Sequence, residues 1–270
     1  MSNDEMIVSS CPEAAFRFGE GMAQGTQLTW YGQSGYKIVT PTGKIVLVDP
    51  WLQNPVLQNG KEELAALKQV DLILLTHGHG DHVGDSVEIG KKTKAKLVAN
   101  VDLSAAVVAA LGYPSELAGA DTTGHIGGTV NLLDGDVAVT FVPAAHGAGV
   151  RKDDKSAPVY GGSPTGLVIA VHNGPTFYHT GDTGLFSDMA LIPKFHKIDV
   201  MLVCIGDHFT MGPAGAAEAV KLVAPSTVIP MHYATFPVLT GTPEAFQNEL
   251  KARGAKADLR VMKVGETISL

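Results

Sequence analysis

Cysteine, basic charge and long apolar runs are all scarce in this sequence of 270 residues. The two cysteines, Cys11 and Cys204, lie far apart, which argues against a disulfide framework and fits a reducing cytoplasm. Lysine and arginine total 20 against 27 aspartates and glutamates; this net charge of -7 argues against a nucleic-acid partner, since phosphate binding needs a basic face. No apolar run approaches the ~20 residues of a membrane span, and the acidic N-terminus lacks a secretory signal. These absences predict a cytoplasmic enzyme or binding protein with neither a membrane nor a nucleic-acid partner.

The hydrophobic share of the sequence, 45% against 17% charged residues, is enough for a large buried core. Residues 1–26 are rich in glycine and weakly patterned, so we interpret them as an N-terminal leader before one domain over residues 27–270. That domain begins with short β-rich runs, turns to strand-helix alternation, and then repeats this order in its second half. The repetition predicts an α/β fold, an αββα sandwich in which two mixed β-sheets pack face to face with helices on the outer faces.

Three histidines and an aspartate are concentrated in the stretch THGHGDH, residues 76–82. On an extended segment, residues two apart point the same way, so His77 and His79 can bind one metal ion. The side chains of the adjacent Asp81 and His82 are expected to diverge, so this pair serves a second ion or divides between ligation and support of a ligand. An isolated pair of histidines at this spacing is also typical of a solvated turn.

Three further strand-like runs each end in a candidate ligand at the start of a turn. VAVTFVPAAHG contains His146, TFYHTGDTG contains Asp182, and TVIPMHY contains His232. Ligands at the ends of several strands are how a rigid sheet fixes a site of many residues, and imidazole with carboxylate suits Zn, Mn or Fe. The number of groups favours a metal site over a solvated turn. The candidate ligands are His77, His79, Asp81, His82, His146, Asp182 and His232.

Together, THGHGDH and the downstream His146, Asp182 and His232 resemble the metallo-β-lactamase superfamily. Within it, the stretches GDTGLFSDM, IGDHFTMGP and IPMHYATFP are similar to the uncharacterised metal-dependent hydrolases allied to the ascorbate-6-phosphate lactonases. Gln33, in the opening stretch WYGQSG, stands where such relatives often have histidine. The resemblance implies two metal ions bridged by Asp182, one held by His77, His79 and His146 and the other by Asp81, His82 and His232.

The resemblance also implies a hydrolase in which a hydroxide bridging two divalent ions attacks a small-molecule ester, lactone or phosphodiester. Zinc is the expected metal, with manganese and iron as alternatives. We expect Asp81 to orient the hydroxide or accept its proton. We expect His208 to contact substrate or donate a proton to the leaving group, rather than to be a structural histidine. A mononuclear iron-dependent oxygenase and a metal-stabilised binding module without catalysis are the alternative functions.

Two other features of the sequence each allow two interpretations. Asp49, which ends the run KIVLVD before a proline, either accepts a hydrogen bond from a ligating imidazole or forms a turn. The polar loop 147–166 carries Arg151, Lys152 and Lys155, which either bind an anionic small-molecule substrate or belong to a solvated hairpin. A homo-oligomer is left open.

Overall fold

The computed structural model of the protein describes residues 25–270. The strands in this range are β1 (Gln27–Gly32), β2 (Gly35–Val39), β3 (Ile45–Val48), β4 (Leu72–Leu74), β5 (Lys96–Asn100), β6 (Thr123–Gly124), β7 (Thr129–Leu132), β8 (Val137–Pro143), β9 (Thr165–Val171), β10 (Thr176–His179), β11 (Val200–Cys204), β12 (Thr227–Met231), β13 (Asp258–Leu259) and β14 (Thr267–Ser269). The α-helices are α1 (Gly60–Ala66), α2 (Gly80–Val83), α3 (Ser86–Thr93), α4 (Val101–Ala106), α5 (Ile192–Phe195), α6 (Pro213–Val223) and α7 (Pro243–Ala252). Residues 1–24 of the predicted leader lie outside the described range, so its boundary stays a prediction.

Two mixed sheets of seven strands each form the fold. The first has the order β14-β1-β2-β3-β4-β5-β6; pairing is antiparallel from β14 to β3 and parallel from β3 to β6. The second has the order β13-β12-β11-β10-β9-β8-β7; pairing is antiparallel from β7 to β10 and parallel from β10 to β13. The two halves of the chain therefore repeat one pairing pattern, and the predicted α/β fold of two mixed sheets is confirmed.

An apolar layer contributed by both sheets forms the main core. Strand β3 shows how the sequence specifies it, because Val46 and Val48 join this layer while Leu47, between them, joins a second cluster. That second cluster also takes Leu64 from α1 and Ile89 from α3, so helices cover the other face of the first sheet. Strands buried on both faces must be apolar at every position, and each fully buried side chain of this size contributes about 1.5 to 3 kcal/mol.

The direction of the strands brings several loops to the same edge of each sheet. Strands β3 and β4 run parallel, so the loops that follow them leave the first sheet at one edge. In the second sheet β10, β11 and β12 run parallel, and β8 has the same direction because it is two antiparallel steps from β10. The carboxyl ends of such strands are where open α/β sheets place their binding sites. Among residues 25–270, none of the helices combines the length and hydrophobicity that a membrane span requires.

Candidate metal centre

The seven predicted ligands lie on the segments that follow β4, β8, β10 and β12. They form two groups, and within each group the possible ligand atoms lie within 4.8 Å of one another. The first group is His77, His79 and His146, and the second is Asp81, His82, Asp182 and His232. The fold therefore brings all seven side chains together in the arrangement that the resemblance implied, and ligation itself stays a prediction.

Three imidazole nitrogens converge in the first group. Nε2 of His77 lies 3.0 Å from Nδ1 of His79, which lies 3.3 Å from Nε2 of His146. Burial lowers the pKa of each ring, and most strongly that of the fully buried His77. Neutral imidazoles keep a lone pair for a metal, and three lone pairs that face one another cannot all be satisfied by ring protons.

The short helix α2 corrects one local expectation. The chain is extended at His79, with φ -69° and ψ 150°, and then turns into helix from Gly80 to Val83. This change of backbone brings Oδ2 of Asp81 to 3.6 Å from Nε2 of His82, although side chains of adjacent residues were expected to diverge. The expectation rested on the adjacency of the two residues alone, without the helical turn that carries them. Both side chains therefore serve the same group.

Asp182 lies at the centre of the second group and also reaches the first. Its Oδ2 is 2.9 Å from Nε2 of His232, and its Oδ1 is 3.2 Å from Nε2 of His82. The same Oδ2 is 3.6 Å from Nε2 of His146, which belongs to the first group. One carboxylate thus has an oxygen within reach of both groups, as a bridging ligand requires.

Asp49 sets the orientation of one histidine in each group. Its Oδ2 accepts hydrogen bonds from Nδ1 of His82 at 2.7 Å and from the hydroxyl of Thr76 at 2.6 Å. Because the only hydroxyl proton of Thr76 goes to Asp49, Nδ1 of His77, 3.0 Å away, donates to the Thr76 oxygen. In the neutral form of each histidine the ring proton therefore lies on Nδ1, and Nε2 is the nitrogen that can bind a metal. The contact supports the first interpretation of Asp49, as a partner of a ligating imidazole.

The unpaired polar atoms of the second group fit a bound cation. Nε2 of His82 and Oδ1 of Asp182 are buried, and neither has a hydrogen-bond partner among residues 25–270. They lie 3.2 Å apart without the geometry of a hydrogen bond. Buried polar groups without partners are costly, so two such atoms close together fit a shared bound cation. A divalent ion satisfies both at once, and the nitrogen and oxygen donors suit zinc, manganese or iron.

The charges of the second group also fit a bound cation. Burial alone would lower the pKa of His82, but the neighbouring carboxylates, Asp182 first, raise it well above its ordinary value. The same competition raises the pKa of His232 to about 9. Burial would raise the pKa of Asp182, but these two histidines hold it well below its usual range. Without metal, ring protons therefore balance the carboxylates, and a divalent ion can take their place.

Several residues around the site adopt a left-handed backbone that non-glycine residues rarely use. The φ values are 48° at Gln33, 43° at Asp49, 54° at His208 and 56° at His232. Such conformations cost of order 1–3 kcal/mol each, and they persist where the surrounding structure enforces them, often at functional sites. Gln33 is fully buried, and its Nε2 donates to Oδ2 of Asp81 at 2.8 Å.

A cavity of about 480 Å³ opens onto both groups. Its lining is Trp51, His79, Gly80, Asp81, His146, Asp182, Phe209, His232 and Phe236. His208 is exposed and its ring lies 4.5 Å from the ring of Phe209, so the structure places it beside the cavity lining rather than in it. Its proposed contact with substrate or leaving group stays a prediction.

The loop that follows His146 borders a second cavity, of about 490 Å³, which shares His79 and Gly80 with the first. Arg151 and Lys152 line it, as do two aspartates, whereas Lys155 does not belong to the lining. A bridge between Val150 and Val159 pins the base of this loop. Two of the three basic residues named from the sequence therefore lie next to the metal centre, although all are exposed.

Sequence reasoning missed the residues that hold or surround the ligands. Gln33 and Thr76 lie in stretches that were noted, but their contacts with the ligands were not foreseen, and the rings of Trp51, Phe209 and Phe236 carried no motif of their own. Their position along the chain could have indicated them, because each aromatic residue follows a strand end that also carries a candidate site residue. Which neighbours of a ligand point into a cavity depends on loop conformation, and the sequence does not state it.

Comparison with known proteins agrees with this geometry. The profile of the family described as "Beta-lactamase superfamily domain" matches residues 44–233. A protein of Thermodesulfovibrio yellowstonii named UPF0173 metal-dependent hydrolase is 52% identical over 246 residues, which cover 91% of this chain and 92% of that protein. A protein of the same description from Koribacter versatilis is 40% identical over 91% of this chain and 99% of its own length.

A solved structure extends the likeness to three dimensions. Igni18, described as a novel metallo hydrolase from the hyperthermophilic archaeon Ignicoccus hospitalis, superposes with a TM-score of 0.77 at 33% identity. The match covers 91% of this chain and 98% of that one. Family profile, relatives and structure therefore agree: the chain belongs to the metallo-β-lactamase superfamily and is one of its metal-dependent hydrolases.

Proposed function

We propose that the protein is a dinuclear hydrolase that acts on a small-molecule ester, lactone or phosphodiester. The observation that supports it best is the position of Asp182, whose carboxylate lies 3.2 Å from His82 of one group and 3.6 Å from His146 of the other. Two divalent ions would be held by the seven residues, with zinc as the first candidate and manganese and iron as alternatives. When bound, such ions activate a water as nucleophile and polarise the substrate oxygen.

Asp81 is the carboxylate we propose for orienting the nucleophile. Its side chain lines the cavity and is 22% exposed, whereas that of Asp182 is 3% exposed. Burial would raise the pKa of Asp81, but His82 and His232 hold it below the ordinary value. A carboxylate with a lowered pKa is a weak base and a good hydrogen-bond acceptor, so orientation is favoured over proton abstraction. His208, whose ring lies 4.5 Å from that of the lining residue Phe209, is our candidate for protonating the leaving group.

The volume of the cavity and its neighbour support a small-molecule substrate that can carry an anionic group. A volume of about 480 Å³ lies within the range of small-molecule sites. Arg151 and Lys152 line the adjoining cavity, where they can contact a phosphate or carboxylate. The cytoplasmic location and the oligomeric state stay predictions.

The test combines metal analysis with a change of the proposed bridge. Protein purified without added metal should bind about two ions per chain on titration. Asp182→Asn should lower metal retention and turnover together, because a neutral amide is a poor bridging ligand, while the exposed Asp188→Asn serves as a control. Turnover is measured on a panel of lactones, thioesters and phosphodiesters.

Other outcomes of this test support other functions. One ion per chain, with no second on titration, would refute the dinuclear site. Iron as the sole metal, with consumption of oxygen, would support the mononuclear oxygenase. Two ions without turnover on any class of substrate would support a metal-stabilised binding module.

A further inference from the structure

Three aromatic side chains, called here the aromatic wall, line the cavity that opens onto the metal centre. The rings of Trp51 and Phe236 stack at a centroid distance of 5.9 Å and an interplanar angle of 24°. Phe209, the third, is 53% exposed. Large apolar side chains that remain in contact with water around a polar centre are typical of binding surfaces.

The fold holds Trp51, and through the stacked rings Phe236, close to the ligands. The backbone N–H of Trp51 donates to the carbonyl of Asp49 at 2.9 Å, two residues from the carboxylate that orients His82. Gly84 packs so closely that a Cβ there would lie 2.7 Å from Cα of Trp51. Phe236 follows the ligand His232 by four residues. A rigid aromatic surface binds with little loss of conformational entropy.

The chemistry of the lining identifies what this wall can recognise. Its polar side chains are all members of the two ligand groups, and no lysine or arginine occurs among the lining residues within the described range. A substrate group that points away from the metal ligands therefore meets mainly carbon. We propose that Trp51, Phe209 and Phe236 bind a flat apolar group of the substrate, such as an aryl ring, next to the bond that is hydrolysed. The position of that bond rests on the proposed function.

A pair of hydroxamates tests this inference by binding rather than turnover. Acetohydroxamate and benzohydroxamate present the same metal-chelating group and differ in the aryl ring, so the ratio of their dissociation constants on zinc-loaded protein isolates the ring. Benzohydroxamate should bind about tenfold more tightly or better, as expected for burial of one ring. Trp51→Ala should bring the ratio close to one, and Trp51→Phe should preserve most of it. Phe236→Ala provides a second variant, and Phe195→Ala, an aromatic that is 79% exposed outside this cavity, is the matched control.

The outcomes separate this inference from the proposed function. A ratio near one in the unchanged protein would overturn the aromatic subsite even if esters or lactones are hydrolysed. Failure of both hydroxamates to bind zinc-loaded protein would also overturn it, because the wall would then not adjoin an open metal. A large ratio that depends on Trp51, in a protein that hydrolyses nothing, would support the subsite and count against the hydrolase.

A second inference comes from Gln33, which contacts the second ligand group in two ways. Its side-chain Nε2 donates to Oδ2 of Asp81 at 2.8 Å, and its backbone carbonyl accepts from the N–H of His232 at 3.0 Å. The same carbonyl accepts from Nε1 of Trp30 at 3.2 Å, so the residue is itself anchored. It is fully buried and has a φ of 48°, which only a constrained environment maintains. We infer that Gln33 is a positioning residue for the ion held by the second group.

Stepwise zinc titration of metal-free protein distinguishes this role from a general structural one. Gln33→Met keeps the length of the side chain but removes the donor, and it should weaken the second ion about tenfold while the first ion binds as before. Thermal unfolding of the metal-free variant reports any loss of fold. Equal weakening of both ions, or of neither, in a folded variant would overturn the inference.

Discussion

Replacing Asp49 with asparagine should weaken metal binding at both ligand groups, although Asp49 itself binds no metal in the proposed arrangement. In either orientation of the amide, at least one hydrogen bond fails, and an NH₂ group at Oδ2 loses those from both His82 and the Thr76 hydroxyl. An NH₂ group in place of Oδ2 presents a donor to Nδ1 of His82, which moves the ring proton to Nε2 and blocks ligation. An NH₂ group in place of Oδ1 faces the N–H of Thr76, now 2.9 Å from that oxygen. Since Thr76 also orients His77, the effect reaches the first group.

Loss of the hydrogen-bond partner of a metal-bound histidine typically lowers metal affinity about 10- to 100-fold, or about 1.4 to 2.8 kcal/mol. We expect a loss of zinc affinity of this size in Asp49→Asn. Competition with a chromophoric chelator measures the two zinc affinities. Asp136→Asn is the matched control, because this buried carboxylate accepts hydrogen bonds from Thr40 and Thr42 and belongs to neither ligand group. It should lower stability and leave zinc affinity unchanged. Unchanged affinity in folded Asp49→Asn would refute the reasoning that Asp49 sets the two tautomers.

Three further predictions concern charge and protons. If the loop 147–166 binds an anionic group of the substrate, Arg151→Ala and Lys152→Ala should raise KM up to about fivefold, the size expected for an exposed ion pair, with kcat nearly constant. Lys155→Ala, outside the cavity lining, should have no effect. Equal losses on neutral substrates would contradict charge recognition. The carboxylates around His232 raise its pKa to about 9. The extra proton therefore stabilises the metal-free fold fully below about pH 6.5, and this contribution is lost as pH rises through about 9. At pH 7 zinc must displace that proton in order to bind. Calorimetry in buffers of different ionisation enthalpy should therefore detect proton release at pH 7, and none would refute this charge state. His208→Ala should slow substrates with poor leaving groups more than those with good ones; an equal effect on both would remove its role as acid.

The fold was predictable because burial constrains sequence strongly. Strands such as β3 and β4 are covered on both faces, so every position must be apolar, and such short continuous runs stand out between polar turns. The pairing of β14 with β1 was not predictable. The strand Thr267–Ser269 has three residues and joins the sheet of the opposite half of the chain, and such a long-range pairing has no local pattern.

The ligands were predictable for a different reason, which is that few residue types bind metals. Histidine and aspartate at strand ends can be recognised from residue type alone, but the backbone conformation that positions them cannot. Just before helix α2 the chain passes so close to a later loop at Gly78 that a Cβ there would lie 2.6 Å from Cγ2 of Val150, some 70 residues on. That contact packs the two loops of the first ligand group together. The contact forms only when the two sheets pack together, so it cannot be predicted from the stretch THGHGDH alone.

Each ligand group takes side chains from both halves of the sandwich. His77 and His79 follow a strand of the first sheet, whereas His146 follows a strand of the second, and the other group is divided in the same way. The distances between ligands therefore depend on how the two sheets pack, and the apolar layer between the sheets is part of what determines the site. The converse also holds, because an ion bound by either group would link the sheets to each other. Its binding free energy then adds to the free energy of unfolding, which couples the metal to the stability of the whole sandwich.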